Sequence, residues 1–197
     1  MADMTKSDLS AAKKDARKRA FAARKAAKTP QGDAAAAAAL IDVLDGFSDR
    51  IIAGYMPIRS EVNPLPAMSA LARKNHLCVP VIQGDGLPLL FREWTPEADM
   101  IDGPFGALVP ASGAFIEPEI LIVPMVAYDP RGFRLGYGGG FYDRTLERLR
   151  DRNPSVLAVG FAFSAQCLDD VPQESTDQPL DMIVTEGGVL RLSGAVA

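Results

Sequence analysis

The sequence predicts an α/β fold: one domain, residues 1–197, on a mainly parallel or mixed sheet with helices on both faces, a Rossmann-like three-layer arrangement. Three observations predict it. From Arg50 onward the apolar residues fall in short, near-continuous runs instead of strict alternation, as in strands covered on both faces. Helix-forming stretches separate several of these runs, and strand–helix alternation is the signature of parallel crossovers. The length, 197 residues, suits a single domain with one continuous core.

Residues 7–28 read as a helix with Ser7 or Ser10 as its cap, rich in alanine and free of Gly and Pro until Pro30. At 100° per residue, Lys13, Arg17, Arg24 and Lys28 fall within about 60° of one another. Leu9, Ala12, Ala16, Ala20, Ala23 and Ala27 form the adjoining stripe, so one edge packs and the next is cationic. Gln31-Gly32-Asp33 interrupts the pattern, and a second alanine-rich helix runs to about Asp45.

The strand-like runs follow: 51–55, 77–82, 89–91, 120–127, 156–161 and 182–184, with helical segments over 63–74 and 141–152. Residues 84–118 carry glycine or proline at ten positions and read as a hairpin and loop excursion over the core. Hydrophobic residues make up 48% of the chain and charged residues 23%, the balance of an ordinary globular protein. Nothing resembles a signal peptide or a membrane span, so a cytoplasmic protein without a membrane partner is expected.

The net charge of −4 hides an asymmetry. Residues 1–28 hold nine Lys/Arg against three Asp/Glu, while the remainder holds twelve against twenty-two. A basic arm before an acidic body can meet phosphate on a nucleotide, a nucleic acid or a lipid. With Cys78 and Cys167 the only cysteines and His76 the only histidine, a zinc cluster, a disulfide framework and a Ser-His-Asp triad are all implausible. His76 reads as a surface or strand-edge residue; Phe91 and Trp94 read as core or lid before ligand platform.

The strongest local signal is Arg131-Gly132-Phe133-Arg134-Leu135-Gly136-Tyr137-Gly138-Gly139-Gly140-Phe141-Tyr142-Asp143-Arg144, lying between an apolar strand and a helix. Bare backbone amides at a helix N-terminus form phosphate-binding geometry. The spacing matches neither GxGxxG, since Phe141 stands where glycine is needed, nor a Walker loop. A tight turn is the plain alternative, but four glycines in five positions flanked by Arg134 and Arg144 favour an anion. Asp143 reads either as a first-turn carboxylate suited to the macrodipole or as a ligand for Mg²⁺ beside phosphate, with Asp177 and Asp181 as candidate second carboxylates. Glu61, after a strand, reads as an acceptor for a heterocyclic N–H edge or as a solvent-facing helix-start residue.

The string Val123-Pro124-Met125-Val126-Ala127-Tyr128-Asp129 followed by Arg134 through Arg144 resembles the signature of the 5-formyltetrahydrofolate cyclo-ligase family, also called 5,10-methenyltetrahydrofolate synthetases. Similar segments extend along the chain: Lys13 and Arg17 as a Lys-x-x-x-Arg pair, Tyr55-Met56-Pro57, Ser60-Glu61-Val62, Ile116-Glu117-Pro118 and Ile183-Val184-Thr185. The resemblance implies a cytosolic, ATP- and Mg²⁺-dependent ligase that closes 5-formyltetrahydrofolate to 5,10-methenyltetrahydrofolate with release of ADP and phosphate; a monomer without a nucleic-acid partner is expected. It implies ATP binding by Lys13, Arg17, Arg134, Leu135, Gly136, Tyr137, Gly138, Gly139, Gly140, Phe141 and Tyr142, with Lys13, Arg134 and Tyr142 catalytic. It further implies that Met56, Glu61 and Tyr137 to Phe141 hold the folate, and that Asp143 and Asp177 hold the metal. The chain departs from the family pattern at Thr176, where histidine is common, and at Asn63-Pro64, where an acidic residue and threonine are common. Those departures keep a related ligase acting on another amide or carboxylate as the rival, with a basic-arm nucleic-acid module as the second.

Overall fold

The first helix starts before either predicted serine. Thr5 caps α1 (Lys6–Ala27): its hydroxyl accepts from the Asp8 N–H at 3.2 Å, and the Asp8 carboxylate accepts from the Thr5 N–H at 3.3 Å. The chain then breaks at Lys28-Thr29, ahead of the predicted interruption. Thr29 Oγ1 accepts from the Gly32 N–H at 3.0 Å and Pro30 opens the next helix, so Gln31-Gly32-Asp33 lies inside the first turn of α2 (Pro30–Leu44). A helical glycine costs only about 1 kcal/mol, and a good cap with burial of Ala36, Ala37, Leu40 and Leu44 outweighs it.

The computed structural model describes residues 5–192, so the ends of the predicted 1–197 domain lie outside the described residues. After α2 come β1 (Ile51–Ala53), α3 (Leu65–Leu71), β2 (His76–Val81) and β3 (Leu90–Glu93). The excursion holds a hairpin of β4 (Met100–Asp102) and β5 (Leu108–Pro110). Then follow β6 (Ile120–Pro124), β7 (Ala127–Tyr128), β8 (Arg134–Leu135), α4 (Phe141–Arg152), β9 (Leu157–Phe161), β10 (Met182–Thr185) and β11 (Gly188–Arg191). The run read as one strand over 120–127 is thus two, because β7 leaves the main sheet to pair antiparallel with β8. The strand β11 had no strong apolar run to announce it and adds an exposed antiparallel edge.

The main sheet has seven strands in the order β11-β10-β9-β6-β1-β2-β3, parallel from β10 to β2 and antiparallel at both edges. The predicted mainly parallel α/β architecture is therefore present. One face buries Ile52, Leu77, Val79, Ile122, Val159 and Val184 under α2 and α3. The other buries Ala53, Leu121, Val123, Ala158 and Ile183 under Leu146 and Leu149 of α4. Helix α1 sits at a third cluster, where Ala16 and Ala20 meet Val126, Ala127 and Leu135 of the β7–β8 ribbon. Phe91 and Trp94 are core residues, and His76 opens β2 at the surface. No helix among the described residues is long and apolar enough to cross a membrane.

The strand order also fixes where a ligand can enter. From β1 the chain winds through α3 to β2; from β6 it winds the opposite way through α4 to β9. Neighbouring strands whose connections diverge leave a crevice at their carboxyl ends, the usual binding place in open α/β sheets. The segments leaving β1 and β6 are 54–64 and 125–140, which contain Met56, Glu61, Arg134 and the glycine-rich loop.

Candidate active site

Residues 136–140 cross from β8 to α4, and 136–139 are exposed. Gly138 has φ +108° and Gly140, the N-cap of α4, has φ +62°, both in the left-handed region that glycine enters without steric cost. No side chain caps α4. The amides of Gly136, Tyr137, Gly138, Gly139 and Gly140 donate to no acceptor among the described residues. Five consecutive unpartnered N–H groups at the positive end of a helix attract an anion.

Arginines surround this loop. Arg17 Nε donates to the Gly136 carbonyl at 2.9 Å, and its guanidinium is the nearest group to a Cβ placed on Gly138. Arg144 folds back to donate to the Gly139 carbonyl. Neither has a carboxylate partner within ion-pairing distance among the described residues, so their charge stays uncompensated beside the amides. Leu135 lies in the cluster under α1, and Phe141 is partly buried against the sheet beneath α4.

The acidic side of the site forms where the loop before β10 meets the start of α4. Asp143 Oδ1 accepts from Arg134 Nη2 at 2.7 Å and from the Gln178 N–H at 3.1 Å, while Arg134 also donates to the Gln178 carbonyl. Burial lowers the Arg134 pKa, and the nearby carboxylates Asp143 and Asp177 oppose that shift. Asp177 Oδ2 accepts from Lys13 Nζ at 3.2 Å and from the Glu174 N–H at 2.8 Å. Its position is thus fixed by its own turn and by α1, independently of the Thr176 departure. Lys13 also pairs with Glu174 at 2.9 Å. Asp181, the other candidate carboxylate, is excluded from this group: it accepts from Arg150 and the Ala158 N–H, closing the start of β9.

These residues fit a magnesium ion. Asp143 Oδ2 and Asp177 Oδ1 hold no hydrogen bond among the described residues, and magnesium takes one or two carboxylates with phosphate and water completing its shell. No group of three or more His, Cys, Asp or Glu side chains among the described residues could form a protein-only cage.

The other side of the crevice centres on Glu61, which is buried at 4% exposure. Its Oε2 accepts from the Ile58 N–H at 2.9 Å, and its Oε1 lies 3.9 Å from Arg24 Nη1. Burial raises its pKa above the usual carboxylate value, against the Ile58 amide, Arg24, Tyr137 and Lys28. The solvent-facing alternative for Glu61 is therefore excluded. Met56 is half-buried against the core cluster under α2 and α3. Tyr142 has a phenol oxygen that is fully buried and without a hydrogen-bond partner among the described residues; burial pushes its pKa up, so it is a neutral donor. Glu61 and Arg134 both act electrostatically on that hydroxyl.

Arg24 was only one member of the cationic stripe in the sequence, yet it joins these parts. It is 1% exposed, donating Nε to Ser60 Oγ at 3.1 Å and Nη2 to the Tyr137 hydroxyl at 2.9 Å. Lys28 donates to the Glu61 carbonyl. The stripe that reads as a solvated basic face is thus turned inward at Arg24 and partly inward at Lys13 and Lys28. Its i, i+4, i+11 spacing from Lys13 was the available signal for Arg24, but spacing does not say which side of a helix is covered. The Asn63 departure makes a local contact: its side chain accepts from the Leu65 N–H at 3.1 Å before α3.

Residues 9–186 match the model of the 5-formyltetrahydrofolate cyclo-ligase family. The chain belongs to the 5-formyltetrahydrofolate cyclo-ligase family. Among its relatives, the Haemophilus influenzae 5-formyltetrahydrofolate cyclo-ligase is 40% identical over 102 residues, covering 49% of this chain and 54% of that protein. The match thus spans about half the length of that relative. The Mycolicibacterium smegmatis cyclo-ligase is 29% identical over 149 residues, 71% of this chain and 75% of its own. The Aquifex aeolicus 5,10-methenyltetrahydrofolate synthetase superposes with a TM-score of 0.72 at 28% identity, covering 94% of this chain and 95% of that one. The resemblance to cyclo-ligases read from the glycine-rich string is thereby borne out, and so is its fold.

Proposed function

We propose that this protein uses ATP and magnesium to cyclise 5-formyltetrahydrofolate to 5,10-methenyltetrahydrofolate, releasing ADP and phosphate, as a monomer in the cytoplasm. The observation that carries the nucleotide half is the row of five unpartnered amides at 136–140, flanked by Arg17 and Arg144. Membership of the family supports the folate half.

A formamide carbon is a weak electrophile and its oxygen a poor leaving group. In the proposed reaction the formyl oxygen attacks the γ-phosphorus and ADP departs. N10 then attacks the activated carbon, phosphate leaves carrying the N10 proton as hydrogen phosphate, and the conjugated methenyl bridge remains. No protein nucleophile is needed; the protein positions the partners and neutralises charge. The loop amides and Arg17 would hold the phosphates, with Lys13 adding charge once drawn from Glu174 and Asp177. Arg134 orients Asp143, and Asp143 with Asp177 would hold the magnesium, which neutralises phosphate oxygens when bound. Glu61 would accept from the pterin N–H edge beside Met56, and the Tyr142 hydroxyl would donate where the two substrates meet.

The direct assay mixes protein, Mg-ATP and 5-formyltetrahydrofolate and follows the methenyl chromophore. Its growth in step with ADP release is expected. Turnover of ATP on another amide or carboxylate, with none on this folate, would overturn the assignment.

A further inference from the structure

Arg59 lies on the connection between β1 and α3, two residues before Glu61. It is exposed, with φ +54°, a left-handed backbone that residues other than Gly, Asn and Asp seldom adopt. Such outliers persist where the surroundings over-determine them, often at functional sites. Here the next two residues are tied to α1, Ser60 through Arg24 and the Glu61 carbonyl through Lys28. The Arg59 guanidinium lies 5.7 Å from the centre of the ring of Tyr137, a residue of the glycine-rich loop. No carboxylate comes within ion-pairing distance of it among the described residues.

An exposed guanidinium left without a counter-ion, held against the ring of a residue in a loop of unpartnered amides, is equipped to meet a phosphate. Its distance from Glu61 narrows the choice further. Arg24 donates to the Tyr137 hydroxyl and faces the Glu61 carboxylate, while Arg59 rests on the same ring. Arg59 is therefore about one aromatic ring away from Glu61. A pterin held at Glu61 by its N–H edge places N5 and its formyl group about one ring away. The glutamyl carboxylates lie beyond a further aminobenzoyl ring and out of this range.

We infer that Arg59 is a catalytic residue that contacts the phosphoryl group in flight between ATP and the formyl oxygen. This rests on the cyclo-ligase reading above. It neutralises charge on the equatorial oxygens, an interaction stronger in the transition state than with bound ATP. No bond to Arg59 forms or breaks.

The test compares wild type with Arg59→Ala, Arg59→Gln and Arg59→Lys. Removing one preorganised donor costs about 100- to 1000-fold in kcat at a closed site; at this exposed position a loss of about 10- to 100-fold is expected for Ala and Gln. Both KM values should stay within about threefold, and added guanidinium should restore part of the Arg59→Ala rate. The same variants should lose the tight binding of ADP with aluminium fluoride, a mimic of the transferring phosphoryl, while still binding ADP. If Arg59→Ala fails to fold, Arg59→Lys decides, because it keeps the stem and charge but not the fork. Unchanged kcat, a raised KM for ATP alone, or a defect that grows with the number of glutamyl residues would each overturn the inference. Wild-type protein inactive on both substrates overturns the cyclo-ligase reading itself, whereas an active wild type with fully active variants removes only Arg59.

Discussion

Arg24 Nη2 donates to the Tyr137 hydroxyl at 2.9 Å, and this bond ties the amino-terminal helix to the middle of the glycine-rich loop. The same guanidinium faces Glu61, so one buried cation joins helix, loop and carboxylate. Replacing it with leucine strands the Glu61 charge. A loss of about 3 kcal/mol in urea denaturation is expected, as for other buried pairs broken on one side. Adding Glu61→Gln to Arg24→Leu should recover part of it; a strictly additive double variant would mean that the two side chains are uncoupled.

Glu61 makes a pH signature. Its native pKa is raised above the ordinary value of 4.5, chiefly by burial. The stability this group contributes is therefore full below its unfolded pKa and is lost as the pH rises through the raised native one. Denaturation from pH 4 to pH 8 should show Glu61→Gln gaining stability on wild type as the pH rises. Folate affinity should fall by about tenfold or more, in keeping with roughly 1.5–3 kcal/mol for a hydrogen bond to a charged group. Parallel stability curves for the two proteins would refute the assignment.

The Tyr142 hydroxyl separates substrate contact from scaffold. Since the buried oxygen has no partner, Tyr142→Phe should leave the unfolding free energy unchanged or raise it by up to about 1 kcal/mol. The kcat should nevertheless drop. A destabilised variant with unaltered kinetics would assign the hydroxyl a purely structural contact.

For Asp143→Asn the amide oxygen still accepts from Gln178 and Arg134, so the fold should survive. Turnover that depends on magnesium should be lost while folate binding remains, measured by titrating metal into each protein. Wild-type metal dependence would remove Asp143 from the ligand set.

Lys13→Ala and Arg17→Ala should each raise the KM for ATP by about tenfold. Melting of Arg17→Ala should barely change, whereas Lys13→Ala should lose about 1 kcal/mol, because Lys13 bridges both the exposed Glu174 and the more buried Asp177. Unaltered ATP kinetics in both would take α1 out of the nucleotide site.

Much of this was legible in the residues because it depends on local chemistry. The apolar runs at β2, β6, β9 and β10 are too continuous for anything but covered strands, and the glycine string before α4 specifies an anion-ready turn. Errors fell where neighbours in space override neighbours in sequence. Thr29 and Pro30 carried the helix past Gly32, and the apolar run after β6 split because Ala127 and Tyr128 had a second partner in β8.

By itself, then, the sequence determined the α/β class, the phosphate-ready loop and the residue types able to meet a nucleotide and a metal, since backbone period and side-chain chemistry are written residue by residue. Only the tertiary structure decided that Asp177 lies by Lys13 while Asp181 closes β9, that Glu61 is buried, and that Arg24 is covered beside it. Those outcomes depend on which strands adjoin and which face of a helix is covered. Both are set by packing between segments far apart in the chain, to which local periodicity is blind.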